Sequence, residues 1–209
     1  GSPVCEQAVL ERCNYITFLL LFIFADSLFY FSILRLFIMA NRIRQNYHEE
    51  CEAFINKVVN LELIASYTYL SMSFNFNRDG VSLPGMEHLC KELSEEKHKD
   101  AEYFMKIQNK RGGRTVLQAI ESPFIQTWET ALKGLQDILS LEKRLNQALL
   151  DLHERASDKK DPHLTDFLEG EYLDKEVELI NKIGHCISRV KRAGPTGLGE
   201  YVLDRNIST

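Results

Sequence analysis

The amino-acid sequence predicts an all-α protein: four long helices in a bundle, a long crossover between the second and third, and a short fifth helix at the C-terminus. Three observations predict it. After Met39, apolar residues recur at three- and four-residue spacing over about residues 46–76, 83–110, 127–156 and 162–191, with a shorter pattern near 197–206. Helix-ending signals fall between these stretches. Arg111-Gly112-Gly113-Arg114 closes the second helix, Asp161-Pro162 offers an N-cap and a proline at the first helical position, and Gly194-Pro195 stops the fourth. The connection before the third helix, about 16 residues with Pro123 inside it, is longer than an up-down bundle needs.

A chain of 209 residues, 44% hydrophobic and 26% charged, can bury one sizeable core. Its net charge of -5 and pI near 5.7 exclude nucleic acid as the main partner, because the phosphate backbone needs a basic surface; cations suit it better. The cysteines, Cys5, Cys13, Cys51, Cys90 and Cys186, are scattered and never form a CxxC pair. They read as free thiols in a reducing compartment, with neither a zinc site nor a disulfide framework.

Residues 15–38, YITFLLLFIFADSLFYFSILRLFI, are nearly all apolar and long enough for a membrane span of about 20 residues. A secretory signal is disfavoured, since Glu6 and Glu11 oppose Arg12 and no small-x-small cleavage site follows. Met39-Ala40-Asn41 reads like the start of a cytosolic protein. Residues 1–39 are therefore expected to be an apolar extension, either a translated upstream segment or a signal or anchor, and residues 40–209 the folded domain. The expected location is the cytoplasm, without a membrane partner.

On the first helix Glu62 shares a face with Ile55, Val58, Val59, Ala65 and Tyr69, so it should point inward. On the second, the stripe Leu89, Cys90, Leu93, Ala101, Phe104 and Ile107 turns Lys97 and Asp100 inward. On the third, Glu142 stands among Leu135, Leu139, Leu145 and Leu149; on the fourth, Glu176 stands among Tyr172, Leu173, Leu179, Ile180 and Ile183. Three helices thus aim a carboxylate at the core. A buried, unpaired carboxylate is costly enough to shift its pKa, find a cation or bind metal. Two readings stay open: the acids pair with arginines or tyrosines and fix helix register, or they line a carboxylate metal site inside the bundle, whose oxygen donors suit iron, manganese, magnesium or calcium.

Lys97 decides what kind of site it is. Its ammonium can neutralise part of the cluster, for instance Glu142, and cannot coordinate metal while protonated. Glu95 and His98 match the Glu-x-x-His ligand pair of such bundles, but two residues are about 200° around a helix, so with Asp100 inward His98 faces away. Glu92, Glu95, Glu96 and Lys99 form a separate stripe at i, i+3, i+4 and i+7, which is either a solvated face or a surface that gathers ions.

From Ile43 to Ser208 the sequence resembles the ferritins. The landmarks, in order, are Arg44-Gln45-Asn46-Tyr47, Asn60-Leu61-Glu62-Leu63 with Ala65-Ser66-Tyr67-Thr68-Tyr69-Leu70, Gln108 to Arg114, Leu141-Glu142-Lys143 with Asn146 to His153, Asp161 to Glu169, and Gly199-Glu200-Tyr201. The resemblance implies a ferritin-like four-helix bundle with the long crossover and fifth helix, residues 40–209 being its diiron-type domain. It also implies assembly into a hollow 24-subunit shell that takes in Fe2+ and holds Fe3+ as a ferric oxyhydroxide mineral. Animal ferritins have heavy-type subunits, which oxidise ferrous iron at an intrasubunit di-iron site, and light-type subunits, which lack it and nucleate mineral at cavity-facing glutamates.

By position, Glu62, Tyr69, Glu96, Glu142 and Glu176 match residues at or beside the heavy-type site. Lys97 stands where the bridging glutamate would, blocking the site as in light chains, and Asp100 stands where the histidine ligand would. Glu92, Glu95 and Glu96 match the light-type nucleation cluster, with Lys99 in place of its fourth glutamate. His153, Asp166 and Glu169 match the threefold pore through which iron enters, with Thr165 where many members have cysteine. The resemblance therefore implies a light-type subunit with some heavy-type residues and weak or no ferroxidase activity, forming homo-oligomers or mixed shells with heavy-type subunits. The alternative is an enzyme that oxidises Fe(II) to Fe(III) with dioxygen at an altered site of Glu62, Asp100, Glu142 and Glu176.

Overall fold

The computed structural model describes residues 42–123 and 125–207. The chain separates into two compact units, Gly1–Arg44 and Gln45–Thr209, and every described helix belongs to the second. The expectations for residues 1–39, Cys5 and Cys13 included, lie outside the described residues. Among the described residues no helix is long and apolar enough to cross a membrane.

The described elements are helical. α1 spans Glu49–Phe76, opened by the His48 side chain accepting from the Glu50 N–H. α2 spans Pro84–Lys110, with its proline in the first turn where no N–H is needed. α3 spans Ala131–Asp158, where the Thr130 hydroxyl accepts from the Lys133 N–H at 3.2 Å. α4 spans Pro162–Leu168, capped by the Asp161 carboxylate, which accepts from the Leu164 N–H at 3.1 Å. A π-helical turn, Glu169–Leu173, leads into α5, Asp174–Ala193, and α6 covers Leu198–Ile207. Gly194, at φ 102°, ends α5 in a backbone conformation that a side chain would strain.

The fourth helix expected over 162–191 is thus one rod interrupted by a π turn. Such a turn admits an extra residue and rotates the helix downstream of it, and it carries Tyr172 into the core. Apolar periodicity averaged over a long window does not register a single inserted residue.

The crossover occupies 111–130 and is pinned at both ends by buried asparagines of α1. Asn56 donates to the Arg114 carbonyl and accepts from the Val116 N–H, each at 3.0 Å. Asn75 donates to the Trp128 carbonyl at 2.7 Å and accepts from its N–H at 3.2 Å. Arg111 ties the end of α2 to the α3–α4 turn, with its guanidinium 2.8 Å from Asp161 Oδ2 and 2.9 Å from the Asn46 carbonyl.

α1 packs on α2 and α3, α3 packs on α5, and α6 docks against α2 and α5. The apolar core is divided. One cluster holds Ala65, Tyr69, Leu93, Leu145 and Ile183 with their neighbours; the other holds Val59, Ala101, Ala148, Phe167 and Tyr172. On α1, α2 and the α4–α5 rod the gap between the two clusters falls where Glu62, Lys97 and Glu176 stand, while on α3 Glu142 lies within the first cluster, between Ile138 and Leu145.

Gly85 shows how closely α6 is docked: a methyl added there would lie 1.9 Å from the Asp204 carbonyl oxygen. Asp204 also accepts from the Met86 N–H at 2.8 Å. Gly85→Ala is expected to lift α6 off the bundle and to cost about 1–3 kcal/mol. Urea denaturation combined with limited proteolysis near Leu198 checks this.

Candidate metal centre

The side chains of Glu62 from α1, Lys97 from α2, Glu142 from α3 and Glu176 from α5 are fully buried. Lys97 Nζ is 2.5 Å from Glu176 Oε1, 2.8 Å from Glu142 Oε2 and 4.0 Å from Glu62 Oε2. The Tyr69 hydroxyl donates to Glu142 Oε1. An ammonium has three protons to direct, and here two carboxylates receive them closely while the third stands off. Both Glu62 oxygens, buried as they are, have no hydrogen-bond partner among the described residues.

The electrostatics follow from this geometry. Burial raises the Glu62 pKa; Lys97 opposes it, and Glu176, Asp100 and Glu142 add to it, leaving it at about 8. Glu176 reaches about 7 by the same burial, with Lys97 pulling it down. Burial alone would lower Lys97, but Glu62, Glu142 and Glu176 outweigh it and hold its pKa above the ordinary lysine value. Lys97 is therefore a permanent cation. Tyr69 is pushed well above the usual phenol range by burial and by the charge of Glu142, so it remains a donor.

Asp100 departs from the expected inward position. Its side chain retains 13% exposure, and Oδ2 lies 2.7 Å from Lys175 Nζ on α5. The same ammonium is 2.8 Å from Glu96 Oε1. The three acids of the candidate nucleation stripe consequently differ: Glu92 and Glu95 are in solvent, while Glu96 is tied to Lys175. His98 faces outward with its side chain 60% exposed, near Glu102. His153 Nε2 and Glu169 Oε1 meet at 2.6 Å at the surface of the subunit, and Asp166 is exposed nearby on α4. Cys51, Cys90 and Cys186 are free and buried; burial pushes the Cys90 thiol up to about 12.

Nothing in the sequence pattern singles out Lys175 or the polar end of Tyr172. Lys175 directly precedes the inward Glu176, and only its long stem brings the ammonium back over α2. Tyr172 fits the apolar stripe, yet its buried hydroxyl has no hydrogen-bond partner among the described residues. Also among the described residues, no three His, Cys, Asp or Glu side chains converge closely enough to hold a metal ion. The acids converge on lysine nitrogens instead. A cavity of about 540 Å³ under the crossover, lined by Asn60, Thr68, Trp128 and Arg144 among others, includes none of the cluster.

A four-helix bundle with a long crossover, a short fifth helix and carboxylates from three helices meeting at its middle defines the class of carboxylate-centred bundle proteins. The signature of the Ferritin-like domain matches residues 52–193. The chain is 52% identical over 170 residues to the ferritin middle subunit of Aquarana catesbeiana, covering 80% of this chain and 97% of that protein. It is 52% identical over 169 residues to a ferritin of Pacifastacus leniusculus (81% and 93% covered) and 50% identical over 177 residues to ferritin light chain 1 of Rattus norvegicus (80% and 97%). The chain belongs to the ferritin family, the family of iron-storage subunits.

Proposed function

We propose that the chain is a light-type ferritin subunit that builds 24-subunit shells, alone or with heavy-type subunits, and stores iron as a ferric oxyhydroxide without oxidising it rapidly itself. One observation carries this reading. The Lys97 ammonium lies within 2.8 Å of Glu142 and 2.5 Å of Glu176, in the middle of the cluster. A protonated amine has no lone pair for a metal, and it supplies the positive charge that iron would otherwise bring. Iron would enter past His153, Asp166 and Glu169 and collect at Glu92 and Glu95, the solvent-facing acids of the stripe whose third member, Glu96, Lys175 holds, on the cavity side of α2, in the cytoplasm. The 50% identity to a light chain supports the light-type part of this reading.

The test is aerobic oxidation of ferrous iron by purified shells of this chain. The expected rate is far below that of a heavy-type shell, and an equal rate would overturn the proposal. In mixed shells, Glu92→Gln with Glu95→Gln is expected to slow mineral growth and leave the initial oxidation by the heavy-type partner unchanged. A growth curve matching the unaltered mixed shell would remove the stripe from nucleation.

The Glu62 oxygens, which accept no hydrogen bond among the described residues, favour the altered-site enzyme as a second reading. Anomalous density between Glu62, Glu142 and Glu176 in an iron-soaked crystal would establish it.

A further inference from the structure

We propose that Asp79, in the loop joining α1 to α2, is a site of spontaneous covalent modification, where the main-chain nitrogen of Gly80 attacks the Asp79 carboxyl and leaves an isoaspartyl link in the chain. The site lies outside the carboxylate centre and is independent of the light-type reading.

Asp79-Gly80 is the only place in the sequence where glycine follows an aspartate or an asparagine. Both residues are exposed, in the loop between Phe76 and Pro84. The Gly80 N–H donates to Oδ1 of Asp79 at 2.9 Å, so the carboxyl is already folded back onto the nitrogen that attacks it. Glycine has no Cβ to crowd that nitrogen. A methyl built at Gly80 would meet no atom within 4 Å, so nothing packs over the residue and the main chain has room to close a ring. Gly80 is also absent from the glycines with positive φ, so the fold itself makes no demand for glycine here.

The step needs no oxidant, reductant or co-reactant besides water. The Gly80 nitrogen bonds to Cγ of Asp79, and its proton leaves with the hydroxyl of the protonated carboxyl as water, closing a succinimide ring. Water then opens the ring at one of its two carbonyls. Breaking the bond from nitrogen to Cγ restores Asp79. Breaking the bond from nitrogen to the original main-chain carbonyl instead routes the chain through Cβ and Cγ and frees that carbonyl as a carboxyl, so charge is unchanged and one methylene enters the main chain. The loop has little slack for it. The Arg78 carbonyl accepts from the N–H groups of Val81 at 3.0 Å and Ser82 at 2.8 Å, and the Leu83 N–H returns to the Phe76 carbonyl at 3.0 Å. Asp79 and Gly80 lie inside all three closures, so the longer chain opens them. Leu83, the N-cap residue of α2, makes no side-chain cap, so the loosened loop is transmitted to the start of that helix.

The test ages the purified, folded full chain in warm, mildly acidic buffer and maps its peptides by electron-transfer fragmentation, which distinguishes aspartyl from isoaspartyl links. The same chain unfolded in urea is aged beside it. Isoaspartate is expected to accumulate at Asp79 severalfold faster than at any other aspartate, and in the folded chain at a rate comparable with the unfolded one. Gly80→Ala is expected to keep the fold, since its methyl meets no neighbour, and to slow the reaction at least about tenfold. Asp79→Glu, which would have to close a larger ring, should give no isomer over the same period and serves as a second variant if the alanine chain does not fold. A folded chain whose Asp79 stays intact while the unfolded chain reacts would overturn the proposal, because the contact between Oδ1 and the Gly80 N–H would then protect the residue. An undiminished rate in folded Gly80→Ala would overturn it as well.

Discussion

Lys97→Leu is expected to lower subunit stability by about 3–5 kcal/mol at pH 8, the usual consequence of removing one partner from a buried ion pair. The leucine would fill much of the space of the lysine stem, so the loss is electrostatic in origin. Glu62, Glu142 and Glu176 would share a dry interior with no cation, and Tyr69 can satisfy only one oxygen of Glu142. The pH dependence identifies the cause. In the unaltered chain Glu62 and Glu176 already titrate at about 8 and about 7, against an ordinary value of 4.5, and Lys97 is what keeps them from going higher. A raised carboxyl pKa means that the folded state holds more protons than the unfolded one, so stability falls as pH rises from 4.5 to the folded value. Without Lys97 that fall continues to higher pH and becomes steeper. The difference between variant and unaltered chain should therefore be small near pH 5 and large at pH 8. Lys97 itself acts in the opposite sense: its folded pKa lies above 10.5, so its contribution is present at all lower pH and is lost only above that value. Urea denaturation at both pH values checks the expectation. An equal penalty at pH 5 and pH 8 would place the loss in packing and not in charge.

The residues that define the centre were legible because helical periodicity determines where each Cβ points. Glu62, Glu142, Glu176 and Lys97 break apolar stripes, and a charged residue in such a stripe must either be buried or twist the helix. All four are buried, Glu62, Lys97 and Glu176 at the gap between the two apolar clusters and Glu142 at the edge of the first. The same rule placed His98 outside. What periodicity does not provide is the end of a long side chain. Asp100 has an inward Cβ by register, yet its carboxylate turns to Lys175, because an ammonium on the neighbouring helix attracts it while the three acids inside repel it. Lys175 escapes the pattern for the complementary reason. Its Cα lies beside an inward position, and about four methylene groups of stem carry the charge elsewhere. The π turn is hidden because it shifts register by one residue, which pattern matching absorbs. Asn56 and Asn75, which fasten the crossover, resemble ordinary polar residues of α1 until the carbonyls and N–H groups that they satisfy are in place.

Replacing Lys97 by glutamate and Asp100 by histidine together is expected to raise aerobic ferrous oxidation by about 10²-fold, the scale on which groups around a metal set activity. Lys97→Glu exchanges the ammonium for a fourth carboxylate where Glu142 and Glu176 already converge, with Glu62 beside them. Such a cluster has no internal cation, so the metal-free variant should be less stable than the unaltered chain and recover when Mn2+ binds the folded state. Asp100→His breaks the bridge to Lys175 and supplies an imidazole nitrogen that can point toward Glu62, whose oxygens have no hydrogen-bond partner among the described residues. Lys175 would then hold Glu96 alone, and adding Lys175→Gln should raise the rate further by releasing that carboxylate. The order of effects comes from where the charges sit: Lys97 blocks the inner position completely, whereas Lys175, with a side chain 32% exposed, can swing into solvent. Lys97→Glu alone is therefore expected to give part of the gain and Lys175→Gln alone none. Unchanged slow oxidation in an assembled shell that Mn2+ stabilises would mean that the two lysines govern metal binding but not the reaction with dioxygen.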